Sequence, residues 1–474
     1  MRRWGLFAAL AASFAVPVAA APFDTAPWLA DLEQARQAFH AKYANWDWLE
    51  GEREVKIDPL FDSLAQRMQR AQNQAQAMAV FDRLVRRTRD GHVEIRWPEP
   101  APAASPPSQA PDLCSKLGYD ARQNGPGTAQ TLPGYAPLPS TGNSFEAGTV
   151  DVAGARLGVV RIGIFQPQGY PTLCQAAVRE LAIPTDKPCD ETCEDRIVTL
   201  AYRRLTEGLE QRARELKAAG ATALLIDISN NGGGSEWAEA AARIFSGKTL
   251  TSEKRGFVRG DHWAKQWREL GGDLRERAKS ASSADRQRLL AWAAEADAAA
   301  RQAETPCTFG QPTCTRLGTA GFSTGLVGAA PSGAFAGKDW GVLVFSPAQF
   351  PYHDGVWDGP LIVLVDQETW SAAEEFAALL QDNKAAVVIG SRTGGAGCGH
   401  TNGGTPTTLT NSGAVLELPD CVRVRADGSN EVRGIIPDVP VALRADDGRA
   451  LRAKLVSERL GEAIAQARAL NSRN

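Results

Sequence analysis

Residues 360–390 read "PLIVLVDQETWSAAEEFAALLQDNKAAVVIG". The apolar run Leu361 to Val365 has the length of a strand covered on both faces. From Ala372 onward the apolar residues recur at three- and four-residue spacing, which predicts a helix. Between the two stands one serine, Ser371. With Glu374 three residues later it fits a capping box, in which the hydroxyl takes a free backbone N–H and the glutamate reaches back. The same position places a hydroxyl in the field of a helix N-terminus, where developing negative charge is favoured. A serine used that way also needs a base.

Working outward, "ATALLIDIS" (221–229) is a short apolar strand that breaks at "NNGGGS", and "EWAEAAARIF" (236–245) resumes as helix. Three successive glycines are tolerated where backbone N–H groups must face outward or something must approach closely. The stretch lacks the Lys-Ser/Thr of a P-loop and the spacing of a dinucleotide fingerprint. Beside a plain strand-to-helix turn, the functional reading is an oxyanion hole, with Gly233 as preferred donor and the N–H of Ala372 as the second. "ARLGVVRIGIF" from Ala155 and "WGVLVFS" from Trp340 also read as strands. "DRIVTLAYRRLTEGLEQRARELKAAG" reads as a long amphipathic helix. Strand alternating with helix makes the fold class α/β.

The flanks divide the chain of 474 residues. Residues 1–20, with Arg2 and Arg3, an apolar stretch and "VAA", form a signal peptide of the general secretory type. Residues 21–99 form an N-terminal helical domain and 100–150 a linker or irregular segment rich in Pro, Ala, Ser and Gly. The core is expected over 151–445, with a charged, alanine-rich helical insertion at about 255–335, and a C-terminal helix over 446–474. No internal repeat and no further segment long enough to span a bilayer is present. A net charge of -3 gives no basic field for nucleic acid or an anionic membrane. Eight cysteines behind a signal peptide predict disulfides. Cys307/Cys314 and Cys189/Cys193 could close local loops, and Cys398/Cys421 bracket a Gly/Thr-rich turn region. Metal binding is the weaker reading of these cysteines.

The chain holds five histidines, His40, His92, His262, His353 and His400. His92, in "RDGHVEI", follows a turn-forming Asp-Gly. His400, in "GCGHTNGG", is its rival as a base because its loop follows Ser371 closely.

Together, in this order, these pieces resemble the tail-specific or C-terminal processing serine protease family. "LLIDISNNGGGS" is similar to that family's DLRxNxGG segment. Residues 360–399 resemble its nucleophile block, and "NEVRGIIPDVPV" resembles its Glu-x-x-Gly-Ile-x-Pro-Asp tail. The resemblance implies a crotonase-like core, Ser371 as nucleophile, and Gly233 with Ala372 as the oxyanion hole. The typical member uses a lysine in the loop where this chain has Ala396, and Lys384, the nearest lysine, sits at a helix end. A branch that includes the tricorn core protease uses histidine with glutamate in support, and the match implies His92 and Glu431. The irregular segment is too short for the PDZ domain most members carry. The expectation is an exported, PDZ-less serine peptidase acting on polypeptides, without cofactor or metal. The alternatives are a non-catalytic ligand-binding protein on the same fold, as in interphotoreceptor retinoid-binding modules, and an esterase, for which the G-x-S-x-G elbow is missing.

Overall fold

The computed structural model describes residues 23–99, 112–139, 142–184, 188–305 and 315–472. The signal peptide expected at 1–20 and the Cys307/Cys314 pair lie outside them. Seven strands form the central sheet: β1 (Ala136–Pro137), β2 (Ala147–Val152), β3 (Ala155–Arg161), β4 (Ala223–Asp227), β5 (Leu361–Val365), β6 (Val387–Gly390) and β7 (Val439–Pro440). They lie side by side in chain order. β1, β2 and β3 pair antiparallel, and β3 through β7 pair parallel. The last part of the stretch read as a linker thus supplies β1 and β2.

The apolar runs of β4 and β5 are covered on both faces. Leu224, Ile226, Leu361, Val363 and Val365 point to one side, beneath the helices Glu191–Ala218, Trp237–Ile244 and Ala372–Asp382. Ala223, Leu225, Ile362 and Leu364 point to the other, beneath the C-terminal helix Arg449–Ser472 through Val456, Leu460 and Ile464. The period of two along each strand accounts for this division. The parallel connections put the N-termini of the helices Trp237–Ile244 and Ala372–Asp382 at the same edge of adjacent strands, β4 and β5.

The N-terminal helices Ala26–Lys42, Ile57–Met68 and Gln74–Thr88 bury Phe39, Phe61 and Phe81 in a core that also takes in Leu416, Leu418 and Val432. Strand Glu94–Arg96 then pairs antiparallel with Val415–Glu417. This pairing docks the turn carrying His92 onto the far end of the chain.

The insertion is a helical hairpin, Asp261–Ser280 and Ser283–Glu304, closed over Trp263, Trp267 and Leu289. It rests on a sheet of Lys254–Val258, Leu317–Phe322 and Cys421–Val424. One expected strand is corrected: in "WGVLVFS", Gly341–Val344 is a single helical turn. A short apolar run does not distinguish strand from buried helix, and here it fills the hairpin core through Val344 and Phe345. Cys114–Cys174, Cys189–Cys193 and Cys398–Cys421 are disulfides.

Candidate active site

The turn after β5 and the turn after β4 are sewn together. Asp366 Oδ1 accepts the N–H of Asn230 at 2.8 Å, the Trp370 N–H donates to the Asn231 carbonyl at 2.9 Å, and the Thr369 hydroxyl donates to the Ile228 carbonyl at 3.1 Å. The result holds Ser371 at φ 54° and ψ −120°. A non-glycine residue there costs of order 1–3 kcal/mol, and such strain persists only where its surroundings enforce it. Capping alone does not call for it, since ordinary N-caps sit in the extended region. The geometry of a capping box is present around Ser371, but its hydroxyl makes no cap hydrogen bond, and the Glu374 N–H donates to the Ser371 carbonyl at 2.9 Å.

Glu374 is buried and does more than cap. Its carboxylate accepts the Ser371 N–H at 3.0 Å, the Thr393 hydroxyl at 2.5 Å, and the N–H groups of Gly395 and Ala396 at 2.8 Å each. Burial, and then the charge of Glu431, raise this carboxyl to about 7, against the donated bonds that favour its ionised form.

Gly233 lies directly against the serine. A Cβ on it would stand 2.9 Å from Ser371 Cβ and 3.1 Å from Ala372 N. Its N–H, however, donates to Asn231 Oδ1 at 2.8 Å. Among the described residues the Ala372 N–H has no acceptor, and neither do those of the flanking Gly232 and Gly234.

His92 is placed by its own tripeptide. The Asp90 side chain accepts the His92 N–H at 3.0 Å in an Asx turn, and Tyr43 and Asn45 donate to its other oxygen. Gly91 must be glycine, because a Cβ would enter the Trp370 ring at 2.3 Å. The imidazole Nδ1 lies 2.8 Å from the Ala396 carbonyl. A carbonyl only accepts, so Nδ1 carries the proton and Nε2 keeps the lone pair. His92 and Ser371 therefore belong to one network through Ala396 and Glu374, although no hydrogen bond joins the hydroxyl to the ring. The His400 ring stands 5.9 Å from that of His92, and its Nε2 is 3.6 Å from Glu417 Oε2. Burial, and then His92, lower its pKa.

Glu431 is buried but does not reach His92. It forms an ion pair with the buried Arg423, a residue that sequence reasoning missed. Arg423 Nη2 donates to the carbonyls of Ser371 at 3.2 Å and Gly397 at 2.9 Å, and Nη1 donates to Glu375 Oε2 at 3.1 Å. Lys384 lies beyond the other end of the helix Ala372–Asp382, whose 11 residues span about 16 Å. Among the described residues no group of His, Cys, Asp and Glu could hold a metal ion, and no helix is long and apolar enough to cross a membrane.

A family model described as peptidase family S41 matches residues 196–441, just over half of the chain and the span from the long helix to the end of the sheet. The chain belongs to peptidase family S41. It is a serine-type peptidase. Its fold is similar to that of mature CPAF, at 14% identity and a TM-score of 0.57, over 95% of this chain and 98% of that one. It is also similar to mature CPAF complexed with lactacystin, at 14% identity and a TM-score of 0.55, over 95% and 99% of the two chains. No curated protein matches the sequence. The S41 fold here is mixed α/β, with helices on both faces of the sheet.

Proposed function

We propose that this S41 chain is an exported, PDZ-less peptidase with a crotonase-like core that cleaves polypeptides through an acyl-enzyme on Ser371. The observation that carries the reading is the strained Ser371 at φ 54°, presented at a helix N-terminus beside the unoccupied Ala372 N–H. In this reading His92 Nε2 removes the hydroxyl proton, Ser371 Oγ attacks the carbonyl carbon, and the leaving amine takes the proton back from the imidazolium. The oxyanion takes the Ala372 N–H and shares the Gly233 N–H with Asn231 Oδ1. Glu431 acts through Arg423 on the nucleophile turn rather than on the imidazole. The domain division of the sequence reading is retained as part of the proposal, with the core sheet beginning at Ala136. The disulfides support export, since they form in oxidising compartments.

Hydrolysis of unstructured polypeptides by the exported chain, compared with Ser371→Ala, tests the reading. The variant should be inactive with its melting temperature nearly kept. Full hydrolysis by Ser371→Ala would reject Ser371 as the nucleophile.

A further inference from the structure

The imidazole of His92 rests on a stretch with no regular structure. Residues 391–406 form neither helix nor strand. Four of the six residues from Gly394 to Gly399 are glycines, and Gly395, Gly397 and Gly399 have positive φ. Glu374 holds the N–H groups of Gly395 and Ala396 at 2.8 Å, but the glycine-rich backbone beyond them does not stay in place by itself. Yet it touches His92 twice. The Ala396 carbonyl receives Nδ1–H, and Gly399 lies so close that a Cβ on it would stand 2.8 Å from Nε2.

Between those two contacts stands Cys398, bonded to Cys421. Cys421 is a firm anchor. It is fully buried, opens the strand Cys421–Val424, and pairs in register with Phe257. Two residues further along that strand is Arg423, which holds the Gly397 carbonyl at 2.9 Å. On the other side of Cys421, the Asp420 N–H donates to the Gly399 carbonyl at 3.0 Å. The covalent tie therefore lies at the centre of a short stretch pinned to one strand, and that stretch seats the imidazole.

We propose that the Cys398–Cys421 disulfide is a positioning element of the site: it fixes the glycine-rich loop that orients His92, so that acylation of Ser371 slows when the bond is open. This rests on the reading of His92 as the base. Opening the bond takes two electrons and two protons. A trialkylphosphine supplies the electrons and becomes its oxide, with the oxygen and both protons coming from one water.

The test uses the full exported chain and the second-order rate at which a fluorophosphonate labels Ser371. Four forms are compared: wild type, Cys398→Ser with Cys421→Ser, His92→Ala, and all three substitutions together. Cys189→Ser with Cys193→Ser is the control, since that bond closes a loop elsewhere, and it should label at the wild-type rate. Opening Cys398–Cys421 should slow labelling at least tenfold and leave KM for a peptide nearly unchanged. In the His92→Ala background the same opening should cost less than twofold, because the group it positions is gone. A merely structural bond would cost the same in both backgrounds, and that result overturns the proposal, as does a wild-type rate with the bond open. If the serine pair does not fold, phosphine reduction of the folded wild type and of His92→Ala, with the freed thiols mapped by alkylation, gives the same comparison. A wild-type rate in His92→Ala alone overturns the base assignment and the clamp with it. A slow His92→Ala beside an unaffected serine pair overturns the clamp alone.

Discussion

His92 and Ala396 lie 304 residues apart in the chain, and the imidazole Nδ1 stands 2.8 Å from the Ala396 carbonyl oxygen. That single bond selects the tautomer and leaves Nε2 to accept a proton. His92→Ala should lower the acylation rate by about 10²–10⁴-fold, the usual loss of a positioned base. Lys384→Ala should be nearly silent. An active His92→Ala beside a dead His400→Ala would transfer the role to His400.

Gly91 and Gly233 are predicted to tolerate no side chain. A Cβ at 91 enters the Trp370 ring, and one at 233 meets Ser371 Cβ and the Trp370 carbonyl, both at 2.9 Å. Gly91→Ala and Gly233→Ala should each lose activity at least tenfold with the fold retained by circular dichroism. Gly272, where a Cβ meets nothing within 4 Å, is the control, and Gly272→Ala should be fully active. Wild-type rates in both of the first two variants would contradict the packing.

Arg423 bridges the Ser371 turn and the His92 loop, pairs with Glu431, and donates to Glu375. Removing one partner of a buried ionic group leaves the others uncompensated, at a cost of about 3–5 kcal/mol. Arg423→Met should therefore melt well below wild type. Arg423→Lys keeps the charge but cannot fork to two carbonyls and two carboxylates, and should lose rate more than stability. Equal melting temperatures for wild type and Arg423→Met would contradict the network.

Stability should fall as pH rises through neutrality. Burial, as the largest cause at each, raises Glu374 to about 7, Glu375 to about 8 and Asp420 to about 7. Unfolded, such groups ionise near pH 4. Between about pH 5 and 7 the folded chain holds more protons than the unfolded one, so its stability is greatest at the acid end of that window and declines upward. Melting temperatures at pH 5.5 should exceed those at 7.5, and Glu375→Gln should flatten the slope. A rising profile over that window would contradict the assignment.

The parallel strands were legible because residues such as Leu361–Val365 are apolar on both faces, and the helix after Ser371 because its spacing is regular. The site was legible only in part. Ser371 and Glu374 read as a cap, and they are one, but φ at 371 is imposed by contacts between residues 136 and 141 apart and leaves no mark on local propensity. Arg423 was invisible because "CVRV" reads as an ordinary strand, and its buried partners come from three other segments. The Gly233 N–H was expected free, but the Asn231 side chain two residues earlier accepts it. The run Gly341–Val344 misled because four apolar residues carry no usable period.

The measurement that tests the account most directly is labelling of the wild-type chain and of Ser371→Ala with a fluorophosphonate, the adduct located by mass spectrometry. The account predicts one adduct, on the peptide containing Ser371, and none in Ser371→Ala. An adduct on another residue, or undiminished labelling of Ser371→Ala, would contradict it.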